Sequence, residues 1–529
     1  IYTIKKERTL KKLRKSQVLK AVKATALLRD KLLKDKARPR YHFATPGDFG
    51  YPGDANMAFF ANGRYHLMYL YKNLNEGNYC MGHLSSRDLL HWRMHPDALY
   101  PDTFDGGIFS GGAFVDDDGT VYVAYWALPK VNDTSDKTAG IRLAMSCDGK
   151  NDYEKWQKFP EYAVRAGTEV GITEVTDEHG NIIDYLGCTD PSNIWKIDDT
   201  YYMQLGALVV LNKFRNDPNA PARMLGDWTE YYCSKDLHSW THLGRFYHRN
   251  QNDTWTDKSE DDMCPSFLPL PGSAKGGSFS GKYLQLFIAH NKGAQYYIGS
   301  YDPTKTDAPF TIEKHGRMSW QDNSFFAPEA LTDPKGRQIM WAWLRDDRLE
   351  GEANLISDGY NGVFSLPRTL WLNENGDLGI APVQELRNLR YNQTNDLNQI
   401  NARSCEILLT AHAAPCSKIG LRINLSKKEY VDVYFDQKSN ALVYDATNAV
   451  QSYDAKPIER APLELGVDEK LQLNIFIDRC VIEVFANERQ AICRRSYTKL
   501  FPSYSVQLIG SEPENVDLTA WNIDETNLF

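Results

Sequence analysis

The 529-residue chain lacks the features that mark several classes of protein. It has no run of 18 apolar residues, so no membrane-spanning helix is expected. Its nine cysteines are scattered, without a Cys-x-x-Cys pair or His/Cys ligand spacing, which argues against a disulfide framework and a structural zinc site. A phosphate-binding loop and a Gly-x-Ser-x-Gly elbow are missing as well. The odd number of scattered thiols favours a reducing, cytoplasmic setting, while a removed leader would be consistent with secretion or a periplasmic location.

Acidic residues outnumber basic ones outside the N-terminus. The net charge is −8, which argues against a nucleic-acid partner for the chain as a whole. Residues 1–40 nevertheless carry 15 Lys/Arg and only 3 Asp/Glu. Within residues 9–36, leucine, valine and alanine alternate with basic residues at helical spacing, and no glycine or proline interrupts them. We predict a basic helical extension over residues 1–40 that docks on the acidic body, with a membrane-surface or polyanion anchor as the alternative.

Short runs rich in Val, Tyr, Trp and Phe dominate from residue 41 onward. Turn signals such as Asn62-Gly63 and Asp118-Gly119 separate them, a pattern typical of all-β proteins. A Ser-x-Asp-Leu-x-x-Trp unit occurs twice, at residues 86–92 and 234–240. Repetition of four-stranded units of about 60–70 residues indicates a β-propeller, and five blades would fill residues 41–375.

A second domain is expected beyond a turn signal at residues 373–376, because a chain of this length exceeds one ordinary core. Residues 376–529 contain a polar linker and then six alternating runs, which is typical of a β-sandwich. The predicted fold class is therefore all-β. A five-bladed β-propeller over 41–375 is followed by a C-terminal β-sandwich over 376–529, with an N-terminal α-helical extension.

Four short motifs carry a family resemblance: Gly53-Asp54-Ala55-Asn56, Phe109-Ser110-Gly111, Thr189-Asp190-Pro191 and Met263-Cys264-Pro265. Their order and spacing resemble glycoside hydrolase family 32, the β-fructofuranosidases, invertases, inulinases and levanases. The junction at residues 364–368 and the hairpin at residues 476–487 are similar to the same family. The resemblance covers residues 41–529 and implies a glycoside hydrolase that needs no cofactor.

The resemblance implies roles for two aspartates. Asp54 matches the family's Asn-Asp-Pro-Asn-Gly motif in the aspartate and the following asparagine, which makes Asp54 the expected nucleophile. Asp190 matches the aspartate of an Arg-Asp-Pro motif that stabilises the transition state and binds fructose hydroxyls. Thr189 replaces the arginine of that motif, so a fixed cation beside the site is lost.

The expected acid/base is open to three candidates. The family has Glu-Cys-Pro where this chain has Met263-Cys264-Pro265, and a thioether cannot shuttle a proton. Glu260 has the longer reach and the family's residue type, and is the first choice. Asp261 is the second, because strand alternation places it on the same face as Met263. Glu329, at a predicted blade end, is the third.

Aromatic and polar residues near these motifs are expected to bind the sugar, since aromatic faces stack on sugar rings. The predicted substrate-binding residues are Tyr51, Asn56, Phe109, Ser110, Trp126, Trp320 and Glu329. No metal site is predicted. The run Asp116-Asp117-Asp118-Gly119 lacks the alternate spacing and terminal glutamate of a calcium loop, and is interpreted as a hairpin turn.

The predicted function is release of terminal β-fructofuranosyl units from sucrose, fructo-oligosaccharides or fructans, with retention of configuration. The partner is therefore a fructose-containing carbohydrate. A fructosyltransferase on the same fold is one alternative. A fructan-binding protein that has lost its acid, as Met263 suggests, is a second, and a related five-bladed family acting on arabinose or xylose is a third.

Overall fold

The computed structural model describes residues 36–44, 52–73, 77–103, 105–129, 139–249, 262–290, 292–345, 362–412, 418–451, 456–510 and 516–527, with single positions between 15 and 34. Those single positions are helical and exposed, as the spacing of the basic extension predicts. Tyr51, Glu260 and Asp261 lie outside the described residues. In the part of the chain that is described, no helix is long and apolar enough to cross a membrane.

Five antiparallel sheets follow one another along the first 382 residues. Blade one contains β1 (Pro52–Ala61), β2 (Arg64–Lys72), β3 (Tyr79–Ser86) and β4 (Trp92–Leu99). Blade two contains β5 (Gly107–Val115), β6 (Val121–Leu128), β7 (Gly140–Ser146) and the short edge strands β8 (Gln157–Lys158) and β9 (Val164–Arg165). A separate hairpin, β10 (Ile172–Thr176) and β11 (Ile182–Gly187), precedes blade three.

Blade three contains β12 (Thr189–Pro191), β13 (Trp195–Ile197), β14 (Thr200–Gly206), β15 (Asp227–Ser234) and β16 (Trp240–Arg249). Blade four contains β17 (Met263–Pro271), β18 (Phe279–Ala289), β19 (Gly293–Tyr301) and β20 (Phe310–Arg317). Blade five contains β21 (Phe326–Thr332), β22 (Gln338–Arg345), β23 (Gly362–Phe364), β24 (Arg368–Leu372) and β25 (Leu378–Pro382). A short α-helix, Leu208–Phe214, and 3₁₀ turns at Gly149–Asn151 and Ala222–Met224 connect strands.

The first strands of the blades close a ring. β1 contacts β5, β5 contacts β12, β12 contacts β17, β17 contacts β21, and β21 contacts β1. This closure leaves each sheet edge-on to a common axis, so the predicted five-bladed propeller is confirmed. The approach is close: a Cβ atom on Gly112 would lie 2.1 Å from the backbone nitrogen of Asn193 in the next blade. A side chain at Gly112 would therefore push blades two and three apart.

Buried amide side chains link neighbouring blades at the axis. Asn56 Oδ1 accepts a hydrogen bond from the backbone N–H of Gly111, joining blades one and two. Asn193 accepts from the N–H of Phe267 and donates to its carbonyl oxygen, joining blades three and four. Because these amides are fully paired, they fix the register between blades without leaving an unsatisfied polar group.

The repeated Ser-x-Asp-Leu unit forms the same turn in blades one and three. In both copies the aspartate, Asp88 or Asp236, accepts backbone N–H groups of the residues that follow it. In both copies the leucine has a positive φ, 68° at Leu89 and 64° at Leu237. The repeat therefore marks the turn into the outermost strand, β4 or β16, as expected for propeller blades.

Two further sheets pack face to face after the propeller. One has the order β26-β37-β27-β33-β34-β35-β31 and the other β32-β30-β29-β28-β36. The strands are β26 (Arg390–Thr394), β27 (Ser404–Ala411), β28 (Lys418–Asn424), β29 (Tyr430–Asp436), β30 (Ala441–Asp445), β31 (Val450–Gln451), β32 (Ile458–Pro462), β33 (Leu471–Asp478), β34 (Val481–Ala486), β35 (Gln490–Tyr497), β36 (Ser505–Ile509) and β37 (Val516–Ile523). Alternating residues such as Leu421, Val433 and Ile475 fill a common core, which makes this unit a β-sandwich, as predicted.

The turn signal at residues 373–376 lies inside blade five. Gly376 has a φ of 73° and its N–H donates to the carbonyl of Asn373, which closes the hairpin between β24 and β25. The blade therefore ends at Pro382, a few residues beyond the turn that suggested a boundary at 375. A hairpin turn and an interdomain turn use the same residue types, so their composition does not distinguish them. Two 3₁₀ turns, Gln384–Leu389 and Leu397–Gln399, lead into the sandwich.

Candidate active site

A cavity of about 630 Å³ opens at the propeller axis. Its walls come from all five blades and the short helix. They are formed by Gly53, Asp54, Leu70, Tyr71, Lys72, Tyr79, Phe109, Trp126, Asp190, Leu208, Met263, Cys264, Ile288, His290, Phe326 and Trp343. Most of these side chains are apolar or aromatic, and the two carboxylates, Asp54 and Asp190, are buried. A concave, largely apolar site with a few convergent polar groups is the usual form of a small-ligand pocket.

Every innermost strand has a register shift at the residue that reaches this cavity. The shifts lie between Pro52 and Ala55, Ile108 and Gly111, Thr189 and Pro191, Met263 and Ser266, and Phe326 and Glu329. A β-bulge leaves one residue out of the ladder and turns its side chain. Along each inner strand, successive side chains otherwise point toward one neighbouring blade and then the other. The bulges explain why the side chains of Asp54, Asp190 and Cys264 point toward the axis instead.

Asp54 is held by a residue of the neighbouring strand β5 and by a residue of its own strand β1. Ser110 Oγ donates a hydrogen bond of 2.6 Å to Asp54 Oδ2. Asn56 Nδ2 donates to the backbone carbonyl of Asp54 at 3.0 Å, which fixes the bulged main chain. The carboxylate is 7% exposed, so its position is defined by these contacts and not by solvent.

Cys264 connects the two aspartates. Its sulfur lies 3.3 Å from Asp190 Oδ2 and 3.8 Å from Asp54 Oδ2, and its backbone N–H donates to Asp190 Oδ2 at 3.3 Å. The two carboxylates therefore share one neighbour, although 136 residues separate them in the sequence. Within the described part of the chain, Asp190 Oδ1 is buried and has no hydrogen-bond partner. A sugar hydroxyl that donates to this oxygen would satisfy it.

Burial shifts the proton affinity of all three groups. Burial raises the pKa of Asp54, against the hydrogen bond from Ser110 and the positive field of His290. Burial and the neighbouring charge of Asp54 raise the pKa of Asp190 to about 7. Burial and both carboxylates hold the pKa of Cys264 well above its usual value, so the sulfur stays a thiol. The two aspartates thus titrate as a coupled pair, as close carboxylates do.

Replacing Asp190 with asparagine is expected to stabilise the fold at pH 8. The folded protein holds the Asp190 proton more tightly than the unfolded chain does, so ionisation between about pH 4 and 7 costs stability as pH rises. The substitution should raise the free energy of unfolding by about 1–3 kcal/mol at pH 8 and by nothing below about pH 4. Urea unfolding at both pH values measures this. An unchanged or lower stability of the variant at pH 8 would contradict the conclusion that burial opposes ionisation of Asp190.

Met263 carries a thioether where the resemblance implies a glutamate as the acid. Met263 is buried in the cavity wall, and Thr189 Oγ1 donates to its sulfur at 3.3 Å. Two of the residues that depart from the family motifs, Thr189 and Met263, therefore contact each other. Asp262, the last residue of the acidic run, is buried and accepts a short hydrogen bond from Tyr247. The assignment of Glu260 or Asp261 as acid stays a prediction, because both lie outside the described residues.

The other predicted ligands fall into three groups. Phe109 and Trp126 line the cavity, with their rings edge to face at 5.5 Å. Asn56 and Ser110 lie directly behind it and support Asp54. Trp320 is placed elsewhere: it packs against the sandwich core, and its backbone N–H donates to Glu459 Oε1 at 2.7 Å. Tyr51 is not among the described residues.

Glu329 lies beneath the cavity and not in its wall. Its Oε1 accepts from the N–H of Ala58 at 2.8 Å, and its Oε2 accepts from Ser266 Oγ at 2.9 Å. Burial raises the pKa of Glu329 to about 8 despite these donors. With both oxygens used to join blades one, four and five, this carboxyl is placed to hold strands together rather than to meet a substrate.

Several cavity residues escaped prediction from sequence. Lys72, Tyr79, Phe326 and Trp343 all line the wall. His290 lines it too, and its position directly after a strand makes it a candidate ligand contact from sequence. A signal for Phe326 exists, because Phe-Ala-Pro-Glu at residues 326–329 has the same proline spacing as Met-Cys-Pro-Ser at 263–266, and both segments bulge. His290 follows directly after a strand, but many histidines do so without a role at a site.

Metal ligands do not converge at this site. Among the described residues, no three His, Cys, Asp or Glu side chains form a group that could hold a metal ion. The run Asp116–Gly119 closes the hairpin between β5 and β6, with the N–H of Gly119 donating to the carbonyl of Asp116. The eight described cysteines are all free thiols.

The protein is a closed five-bladed propeller followed by a β-sandwich, and its axial cavity holds a pair of carboxylates. Two carboxylates in one sugar-sized cavity are typical of glycoside hydrolases. The chain belongs to glycoside hydrolase family 32. The family profile described as Glycosyl hydrolases family 32 N-terminal domain matches residues 42–382, and the profile Glycosyl hydrolases family 32 C terminal matches residues 382–522.

Known proteins are similar over nearly the whole chain. The sucrose-6-phosphate hydrolase of Zymomonas mobilis is 27% identical over 539 residues, covering 97% of this chain and 97% of that protein. An insoluble β-fructofuranosidase isoenzyme of Arabidopsis thaliana is 23% identical, covering 93% of this chain and 91% of that protein. The crystal structure of fructan 1-exohydrolase IIa from Cichorium intybus superposes with a TM-score of 0.73 at 19% identity, covering 93% of this chain and 98% of that one. The structural likeness supports the fold.

Proposed function

We propose that this protein releases terminal β-fructofuranosyl units from sucrose, fructo-oligosaccharides or fructans, with retention of configuration. The observation that carries the proposal is the pair Asp54 and Asp190, buried in one axial cavity and bridged by Cys264. Family membership and the relatives named above support the same chemistry. No cofactor is required, because side chains supply the nucleophile and the stabilising charge.

Asp54 is the group best placed to attack. Its Oδ2 is fixed by Ser110, and its carboxylate faces the cavity. In a retaining mechanism this oxygen forms a bond to the anomeric carbon of the fructosyl unit, and water later breaks that bond. Burial raises the pKa of Asp54, and the hydrogen bond from Ser110 opposes that effect because it stabilises the ionised carboxylate.

Asp190 is placed to bind sugar hydroxyls beside the reacting carbon. Its Oδ2 is already occupied by Cys264, while its buried Oδ1 faces no donor among the described residues. Hydrogen bonds from sugar hydroxyls to a buried carboxylate become stronger as positive charge develops on the sugar ring in the transition state. Since the family arginine is Thr189 here, positive field at the aspartates comes from His290 and, at Asp54, from Arg345 as well.

The apolar side chains of the cavity wall can pack against the C–H groups on the faces of a sugar ring. Leu70 stands where many family members carry a glutamine, so one hydroxyl contact is replaced by an apolar one. Phe109, Trp126, Phe326 and Trp343 offer aromatic faces and edges to C–H groups of a ring. The cavity volume of about 630 Å³ accommodates a disaccharide-sized ligand.

Fructose release tests the proposal directly. Purified protein is incubated with sucrose, sucrose 6-phosphate, inulin and levan, and the anomer first formed is identified by NMR. We expect β-fructofuranose as the first product from at least one substrate. Transfer products in place of free fructose would identify a fructosyltransferase. Binding of a fructan by calorimetry, without release from any substrate by the folded protein, would identify the non-catalytic alternative. Cleavage of an aryl arabinofuranoside or xyloside alone would identify the third alternative.

A further inference from the structure

The site needs a proton donor that Met263 cannot be. A sugar alkoxide leaves slowly unless its oxygen is protonated, so retaining glycosidases provide a group that first gives a proton and then takes one from water. Met263 occupies the wall of the cavity where the family carries that group, and its sulfur already accepts a hydrogen bond from Thr189. The inference that follows rests on the proposed function.

Few side chains of the described cavity wall exchange protons near neutral pH. The wall also contains the amine of Lys72 and the phenol of Tyr79. Tyr71 donates its hydroxyl to Asp97 at 2.6 Å. The pKa of the Cys264 thiol is held well above its usual value by burial and the two aspartates. Apart from those aspartates, His290 is the group whose side-chain class titrates between pH 5 and 8.

The strand register places His290 beside Met263. Ile288 on β18 is the cross-strand partner of Met263 on β17, and both line the cavity. His290 lies two residues beyond Ile288, just past the end of β18 at Ala289, and lines the same cavity. Its ring meets Phe326 edge to face at 5.7 Å, and the residue is exposed, which places it toward the mouth of the cavity above the buried aspartates. A terminal fructosyl unit that enters the cavity ring-first would have its leaving group at that mouth.

We propose that His290 is the acid/base of this site, in place of the family carboxylate whose position Met263 occupies. In the first step an Asp54 oxygen bonds to the anomeric carbon, the glycosidic C–O bond breaks, and the imidazolium gives its proton to the departing oxygen. In the second step the neutral imidazole takes a proton from water, the hydroxyl oxygen bonds to the anomeric carbon, and the bond to Asp54 breaks. His290 is again imidazolium, and atoms and charge balance.

The charges around His290 favour this cycle. Asp54 and Asp190 face it from the cavity floor, and His290 in turn lowers the pKa of both carboxylates. Arg345 acts on Asp54 with the same sign, and Lys72 is the other cation of the wall. Two carboxylates beneath an imidazole stabilise its protonated form, which is the form that the first step requires.

The test compares two leaving groups in His290→Gln. With sucrose, whose leaving group needs a proton, kcat/KM should fall about 10²–10⁴-fold. With 4-nitrophenyl β-fructofuranoside, whose phenolate leaves without help, bond cleavage should be far less affected. Azide should accelerate the variant and yield β-fructosyl azide, because a small anion needs no base in the second step. The basic limb of the wild-type pH profile should disappear.

The control is His179→Gln, a histidine whose side chain is 74% exposed at a distant hairpin tip and which should match the wild type on both substrates. His290→Gln that cleaves sucrose within a few-fold of the wild type would overturn the proposal, as would the same leaving-group and azide signature in Glu260→Gln or Asp261→Asn. A thermal midpoint equal to that of the wild type excludes misfolding. If the wild type releases fructose from none of sucrose, sucrose 6-phosphate, inulin, levan and the aryl fructoside, the proposed function itself fails, and His290 has no reaction to serve.

Discussion

Asp54→Asn is expected to lower fructose release by at least about 10⁴-fold, the scale on which enzymes lose activity without their nucleophile. Asparagine has nearly the same shape and can still accept the hydrogen bond from Ser110, but its amide oxygen does not form the covalent bond to the anomeric carbon. The loss should appear in kcat for sucrose and for an aryl fructoside alike, because both leaving groups need the same attack. Fructose is measured enzymatically over hours at high protein concentration.

The matched control for Asp54→Asn is Asp117→Asn, which makes the same chemical change at a side chain that is 98% exposed. It should retain full activity. The two variants should also show thermal midpoints near that of the wild type, since neither removes packed volume. If Asp54→Asn kept more than a few per cent of wild-type activity, the covalent route through Asp54 would be wrong, and the carboxylate would be a binding group.

Glu483→Ala is expected to destabilise the protein by about 3–5 kcal/mol, the cost of leaving a buried charge without its partner. Glu483 lies on β34 of the sandwich and is fully buried. Its carboxylate accepts from Arg368 of blade five at 2.7 Å and from the N–H of Leu366 at 2.7 Å. It also meets His42 at 3.2 Å, so it ties the segment before the propeller to both domains. Alanine would leave the buried guanidinium of Arg368 without its counter-charge.

Equilibrium unfolding in urea at pH 7 measures this loss. Glu464→Ala is the control, because Glu464 is an exposed glutamate of the same domain and its removal should change stability by less than about 0.5 kcal/mol. Glu483→Gln should fall between the two, since its amide oxygen can still accept from Leu366. A loss below about 1 kcal/mol in Glu483→Ala would show that water or a neighbouring carboxylate replaces the missing charge.

Thr189 and Met263 replace two residues of the family motifs, and their contact gives a physical reason why both differ together. An arginine at position 189 and a glutamate at 263 would be a cation and an anion in contact, whereas threonine and methionine are neutral and hydrogen-bonded to each other. Losing both charges together avoids burying either one alone, which would cost far more than losing the pair. Among the described residues of the cavity wall, the side chains that can carry charge include the two aspartates, His290 and Lys72.

Sequence by itself determined the fold class, and it singled out Asp54 and Asp190, which the structure places in one cavity. Alternating runs and glycine-rich turns define strands locally, because side-chain period and φ preference act within a few residues. The Ser-x-Asp-Leu repeat marks equivalent turns, since the aspartate caps neighbouring backbone N–H groups in both copies. The motifs around Asp54 and Asp190 are short and contiguous, so they are recognisable without knowing what lies across the axis.

Only the tertiary structure decided which distant residues meet. Bulges in the five inner strands turn Asp54, Asp190 and Cys264 toward one point, and their exact twist depends on contacts between blades. The same packing puts Met263 against Thr189, His290 in the cavity wall, Glu329 beneath it, and Trp320 against the sandwich. The reason is that local sequence determines where strands and turns form. The direction in which a bulged side chain points depends on contacts with the neighbouring blade, which the chain forms tens of residues later.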